Sequence, residues 1–308
     1  VVALGVALLS TAVVLSTSYA RARDHLDWST YLVGLLATAS LLGVAAAVRV
    51  RAPDADRATD LVAWPGAFGI VGLGLMIGVG LDGADATVYV AGLAVLISSV
   101  GALLLTGRGP FVVPAVLGAF ATYGQAIEDV LTGKEFGEEL PGIKIALALA
   151  LFAVLATAAC WTRVESRVLG GAVVGGLTVA AFAGVTGVLA INQVLLAPPL
   201  EFHSIGVGTD GDFADYAGPT YDGATDDAWT ILVLAVLLML GWAACAALTG
   251  HVVYRILVVA MAVSVIPLVT QVLTVEHPTW WAVAATAIGG LALVSVGLGA
   301  ASRPRPAP

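Results

Sequence analysis

The stretch IALALALFAVLATAA, residues 145–159, contains no charged side chain, and its apolar residues lie on every side rather than along one stripe. A half-buried strand would alternate, and a helix at the surface of a soluble domain would keep a polar face. This stretch therefore asks for an apolar solvent all round. Extended by its neighbours to 143–161, it approaches the roughly 20 residues that an α-helix needs to cross about 30 Å of hydrocarbon. Similar stretches recur from Val1 to Ala300. Barrel strands would appear as alternating segments of about ten residues, so the reading is an all-α, polytopic integral membrane helical bundle.

Composition agrees with this reading. Hydrophobic residues make up 59% of the 308 and charged residues 11%, with a mean hydropathy of +1.00. Soluble domains run at about 45–50% apolar and about 25% charged. A net charge of −8 disfavours nucleic acid as a partner, and the bilayer is the partner that the composition implies. Val1 opens inside an apolar helix with neither Met nor a basic flank, which reads as trimming or an alternative start codon rather than a cleavable signal peptide.

Hydropathy places ten membrane helices at about 1–19, 30–48, 63–81, 87–105, 111–131, 143–161, 169–197, 229–249, 254–274 and 280–300. Together they form a single transmembrane domain over 1–302, with an acidic loop at 198–228 and a short tail at 303–308. Pro65, Pro141 and Pro278 sit where helices are expected to begin, since proline at the first position loses no intrahelical bond. Pro198 and Pro199 close the seventh. Arg49, Arg51, Arg57, Arg108, Arg163, Arg167, Arg255, Arg303 and Arg305 gather on the even-numbered connections and the tail. Basic residues accumulate on the cytoplasmic side, so both termini are expected there, in the cell membrane. Arg21, Arg23, Lys134 and Lys144 fall on the opposite face and run against the count. Cys160 and Cys245 lie near the expected cytoplasmic end, where a disulfide is not expected.

Cutting the chain at the cytoplasmic arginines yields a candidate repeat, a helical hairpin. In three hairpins the returning helix follows an acidic or His-containing turn and an interfacial tryptophan, as in Asp27-Trp28, Asp226-Asp227-Ala228-Trp229 and Glu276-His277-Pro278-Thr279-Trp280. Tryptophan at the headgroup level is an anchor. Outgoing helices carry an amide near the outer end, in Gln125-Ala126-Ile127, Gln193-Val194-Leu195 and Gln271-Val272-Leu273.

Polar groups in the spans are the candidates for chemistry. Gln125, Glu128, Asp129 and Thr132 stand at i, i+3, i+4 and i+7 and share a face of the fifth helix. Carboxylates there suit a hard cation or a proton; the competing reading is a helix that ends early, with Glu128 and Asp129 in headgroup water beside Lys134. Asn192, Gln193 and Gln271 are amides that could line a route or simply join helices by hydrogen bonds. Pro267 cannot donate to the Val263 carbonyl, and a broken helix beside an amide is a feature of transporters.

Small residues at Gly74 and Gly78, at Gly171 and Gly175, and at Gly176, Ala180 and Gly184 permit close helix packing, within the bundle or at a seam with a membrane-protein partner or a second copy. In the acidic loop, Asp210, Asp212 and Asp215 are weak candidates for a metal or a metal-held sugar phosphate, without the further ligands of an EF-hand. His25, His203, His251 and His277 are scattered and lack the spacing of haem or zinc ligands. No nucleophile motif or cofactor fingerprint is present, and no cofactor is expected.

Three functions remain open: permease-like transport of a small solute or ion through the amides and carboxylates of helices five, seven and nine; a non-catalytic membrane subunit or scaffold; and a membrane-embedded lipid-linked sugar transferase using the loop aspartates. Ten helices in about 300 residues with both ends on one side resemble, in architecture alone, the drug/metabolite transporter superfamily. That family's proline-to-glutamate pattern before the fifth helix is absent here.

Overall fold

The computed structural model describes residues 2–21, 25–51, 56–81, 86–132, 142–195 and 224–273. Of these, 94% are helical, and no strand occurs among them. The elements are α1 (Val2–Tyr19), α2 (Trp28–Arg51), α3 (Asp56–Gly80), α4 (Thr87–Thr106), α5 (Val112–Thr132), α6 (Gly142–Trp161), α7 (Val164–Leu195), α8 (Ala224–Thr249) and α9 (Val252–Leu273). A 3-10 turn at Gly109–Phe111 precedes α5. Eight of these helices are long and apolar enough to cross a membrane, and the apolar part of α1, Ala3–Tyr19, has 17 residues, at the lower edge of what spanning requires. The expected tenth helix at 280–300, the acidic loop with Asp210, Asp212 and Asp215, and the tail lie outside the described residues.

The chain is an all-α membrane bundle, and its surface says so. Val263, Ile97 and Leu36 are each about two-thirds exposed, at 69%, 68% and 67%. Water would penalise such a surface, whereas lipid tails solvate it.

Tight turns set the packing. Gly107 and Gly250 adopt left-handed conformations, φ 66° and 70°, which cost a glycine little. Their amides cap α4 and α8 by donating to Leu103 O and Ala246 O at 2.8 and 2.9 Å. Short turns force antiparallel contact, so α4 lies along α5 and α8 along α9, and α2 packs closely on α3 across a four-residue gap. The hairpins joined at the opposite end are uneven: α1 packs on α2 and α3 on α4, but α5 touches α6 only lightly, as does α7 with α8. The closest packing thus follows the arginine-bearing turns rather than the tryptophan-bearing ones.

Two sub-bundles result. Val13 of α1, Ala37 of α2 and Met76 of α3 form one small core, and Ala63, Ala67 and Ile70 of α3 form another with Val95 and Phe111. The larger core joins α5 to α9, with Tyr254, Met261, Val265 and Val269 of α9 wholly buried beside Val174, Phe182, Ile231 and Ala235. Helix α5 belongs to both halves: Val112 and Val116 enter the larger core, while Gly118 meets α4.

Gly171 and Gly175 of α7 sit directly against Tyr254 and Leu257 of α9, leaving no room for a side chain. Gly176 and Gly184 meet nothing within 4 Å; they and Ala180 form an exposed face. Pro65 does not open a helix. It lies inside α3, because the polar residues from Asp56 onward continue the helix beyond the apolar span, which a hydropathy window cannot see. Pro267 likewise sits within α9, which runs through it without ending. Cys160 and Cys245 are unbridged.

At the end of the bundle carrying Arg49, here the Arg49 end, that residue donates to Leu105 O at 3.1 Å. There too the buried Tyr254 hydroxyl donates to Arg167 O at 2.8 Å and accepts from Trp161 Nε1 at 3.3 Å, tying α6, α7 and α9 together.

Candidate functional site

The opposite, Asp27 end holds the polar groups of interest. Asp27 stands immediately before α2 and accepts from the Ser29 amide at 3.1 Å and the Ser29 hydroxyl at 2.7 Å, and from the Thr30 hydroxyl. These bonds, Thr30 first and then Ser29, hold its carboxyl below the ordinary aspartate range, as expected of a carboxylate capping a helix. Arg21, which fits the charge count badly, has a local task. Its Nε donates to Val79 O at 2.8 Å, satisfying a carbonyl in the last turn of α3 and complementing the helix dipole.

On α5, Gly118, Thr122, Gln125 and Asp129 stand at i, i+4, i+7 and i+11 and form one stripe. The stripe faces α4. Tyr89 of α4 donates its hydroxyl to Asp129 Oδ2 at 2.7 Å, and Gln125 Nε2 donates to Asp129 Oδ1 at 3.1 Å. Deeper in the bundle, one turn along α4 from Tyr89 and three along α5 from Asp129, Gly92 and Gly118 bring the two backbones together: a side-chain carbon at Gly118 would stand 2.7 Å from Gly92 O and 2.8 Å from Leu96 N. The Asp129 carboxylate is therefore a clasp between α4 and α5 above a glycine crossing.

Beside this crossing lies a crevice of about 580 Å³ between α1, α3, α4 and α5, within the range of about 300–1,000 Å³ usual for small-molecule sites. Its rim is Arg21, Val79 and Thr87, and its deepest residues are Val71, Val95 and Leu117. Val71 to Val79 spans about 12 Å along α3 at 1.5 Å per residue. Small residues hollow it: Gly74, Gly78, Ala91, Gly92, Gly118 and Ala121 all line it. Gly78 has nothing within 4 Å of where a Cβ would stand.

The walls are apolar in effect. Thr17 bonds back to Val13 O at 2.8 Å, and Thr87 bonds to Leu81 O at 2.7 Å. Both hydroxyls have acceptors within the protein, and among the described residues Arg21 is the one charged side chain of the lining. Leu75 and Val88 at its edge are substantially exposed, so the crevice opens sideways toward lipid as well as endwise.

The other sequence candidates divide. Gln125 and Asp129 are brought together, and Glu128 beside them is exposed. Gln271 is exposed on the side of α9 away from its buried face. Asn192 and Gln193 lie in the last turns of α7, and their side chains are outside the described residues. Helix α7 packs on both α5 and α9, whereas α5 and α9 share no substantial packing. Among the described residues, no group of three or more His, Cys, Asp or Glu side chains could hold a metal ion.

Three contributors were not singled out from the sequence. Tyr89 gives no signal without knowing that α4 and α5 pair. Arg21 had one, its presence on the poorly basic face. Asp227, read only as part of a tryptophan turn, is 2% exposed, and its Oδ2 accepts from the Gly142 amide at 2.8 Å, so a carboxylate from α8 caps the start of α6.

Compared with known protein families, with curated proteins and with solved structures, the chain matches none.

Proposed function

We propose that this integral membrane protein is permease-like and takes a small, largely apolar solute into the crevice between α1, α3, α4 and α5. The observation that supports this is a hollow of about 580 Å³, reaching about 12 Å inward from the Asp27 end along the Gly92–Gly118 crossing. A space open at one end and closed before the other suits one state of a carrier that alternates. A lining of mostly aliphatic and glycine residues with two threonines suits apolar matter better than a bare ion, which would need several oxygen ligands.

In this reading the α5 candidates keep a role, and it is mechanical. Gln125, Asp129 and Tyr89 latch α4 to α5 at the rim, and releasing the latch lets the two helices part. Glu128, one residue from Asp129, stands at the same rim. Asn192, Gln193 and Gln271 belong to the other half of the bundle, where a route through α7 and α9 would have to run apart from this crevice.

The test is uptake by sealed proteoliposomes of a panel of radiolabelled carboxylic acids, amines and neutral solutes. Some member is expected to accumulate faster than in protein-free vesicles. Gly78→Leu, whose first side-chain carbon meets nothing within 4 Å and whose branch takes up space in the hollow, is expected to cut that rate about tenfold or more, as loss of a pocket does when its occupant no longer fits. An uptake rate unchanged by Gly78→Leu overturns the crevice as the route. Absence of uptake across the panel, with stoichiometric co-purification of another membrane protein, favours the subunit reading instead.

A further inference from the structure

The crevice between α1, α3, α4 and α5 has a shape as well as a volume, and the two together select the form of its occupant. Its 580 Å³ hold about 19 carbon-sized groups at about 30 Å³ each. Strung in single file at about 1.3 Å per bond, that many groups would reach about 24 Å, twice the roughly 12 Å from Val71 to Val79. A straight chain therefore cannot fill it. Volume over depth gives a mean cross-section of about 48 Å², or about 7 Å across, against about 4 Å between single chains in contact. The body that fits is short, and broader than one chain.

Fused rings have these proportions. Each six-membered ring advances a fused series by about 2.6 Å at carbon–carbon bonds of about 1.5 Å, so a nucleus of four or five rings is about 10–13 Å long. Its roughly 17–21 ring carbons occupy about 510–630 Å³ on the same scale, and both ranges bracket the crevice. The walls agree. Gly78, Ala91, Gly92, Gly118 and Ala121 offer only backbone and single methyl groups, against which a rigid face can lie closely. A fused nucleus also has no rotamers to lose on binding, whereas two flexible acyl chains of the same volume lose freedom at every bond. Thr17 and Thr87 donate to Val13 O and Leu81 O and Arg21 to Val79 O, and the fit draws on no charge. Leu75 and Val88 at the edge are substantially exposed, which opens the hollow to the leaflet where such a body dissolves.

We propose that the crevice binds a neutral fused-ring lipid of the sterol type, its ring system lying against Gly78, Ala91 and Ala121 and entering from the leaflet past Leu75 and Val88. The inference rests on the permease reading of the same hollow and names its substrate class, but binding and movement are measured separately.

The experiment uses the full chain in phosphatidylcholine vesicles containing a cholestanol with a diazirine in its ring system, photolysed and mapped by peptide mass spectrometry. Crosslinks are expected within 71–79, 87–95 and 117–121. Unlabelled cholestanol, whose ring system is flat, should displace the probe at a concentration about tenfold or more below that of coprostanol, the isomer bent at one ring junction, since a misfit of about one methylene in a shaped site is worth that factor. This comparison is read on the unaltered chain and needs no variant to fold. Gly78→Leu should abolish the crosslinks, and Gly176→Leu, on the outward face of α7, should leave them unchanged. A phosphatidylcholine with the diazirine in an acyl chain should label the same segments about tenfold less than the sterol probe at equal membrane concentration. Equal displacement by the two isomers, crosslinks that survive Gly78→Leu, or equal labelling by the acyl-chain probe each overturns the proposal. Sterol labelling without uptake of any solute would defeat the transport reading alone, and uptake blocked by Gly78→Leu without sterol labelling would defeat this inference alone.

Discussion

Replacing Gly118 by Ala adds one carbon where two backbones already touch. That carbon would stand 2.7 Å from Gly92 O and 2.8 Å from Leu96 N, against 3.4 Å for the near edge of ordinary contact. The deficit is 3.4 minus 2.7, or 0.7 Å. Both obstacles are backbone, so no rotamer change relieves it, and α4 and α5 must move apart. A gap of about 0.5–1 Å forfeits a quarter to a half of the dispersion attraction along the seam, and overpacking of this kind costs about 1–3 kcal/mol. Alanine returns about 1 kcal/mol through its better helix propensity. The net expectation is destabilisation of up to about 2 kcal/mol. Gly176→Ala is the matched control, because nothing lies within 4 Å of that position; it should be neutral or stabilising by up to about 1 kcal/mol. The assay is unfolding in mixed micelles, comparing both variants with the parent. If Gly118→Ala proves as stable as Gly176→Ala, the α4–α5 crossing is not as described, and that wall of the crevice goes with it.

Asp227→Ala should lower stability by about 1–3 kcal/mol, since it strips the Gly142 amide of a buried acceptor, and Asp227→Asn, which can still accept, should lose less; thermal melting in detergent measures both. Tyr254→Phe should cost about 0.5–1.5 kcal/mol and alter Trp161 fluorescence, because the hydroxyl it removes bonds both Arg167 O and Trp161 Nε1. Asp27 supplies a pH dependence. Its carboxyl lies below the ordinary value of about 3.9 through its bonds to Thr30 and Ser29, so its stabilising effect is complete above that value and is lost as pH falls through the lowered one. The melting-temperature gap between parent and Asp27→Ala should therefore be largest near neutrality and close in strong acid, and a gap that widens on acidification would contradict the cap. Tyr89→Phe should change the rate of solute uptake without changing the melting temperature appreciably, and a melting shift with unaltered uptake would reduce the Asp129 clasp to a structural role.

Much of the fold was legible because hydropathy is local along the chain. The fourth helix, expected at 87–105, spans Thr87–Thr106, and the sixth, expected at 143–161, spans Gly142–Trp161. Boundaries failed where helices outrun hydrocarbon. At 32 residues, α7 is about 48 Å long, and its first turns, like those of α3, are polar and contribute nothing to a hydropathy window. Which helices neighbour one another was not legible. The amides of α5 and α9 look alike in sequence, yet Gln125 bonds the Asp129 carboxylate that also takes the Tyr89 hydroxyl of α4, while Gln271 is exposed on α9. Glycine was read as packing wherever it recurred, but Gly175 is pressed against Leu257 while Gly176, its neighbour, faces outward. Spacing on one helix cannot tell these apart, because the difference lies in what stands opposite. The crevice was invisible for the same reason: its lining comes from four helices, few of whose residues are chemically distinctive.

The claim beneath all of this is that a bilayer separates the Asp27 end from the Arg49 end. Single cysteines introduced at His25, Glu128 and Asp226, and at Arg163 and His251, with Cys160 and Cys245 replaced by serine, can be treated in sealed vesicles with a membrane-impermeant maleimide. The account predicts that the first three react as one group and the last two as another, with only one group labelled before the membrane is opened. Labelling of His25→Cys together with Arg163→Cys in intact vesicles would contradict it.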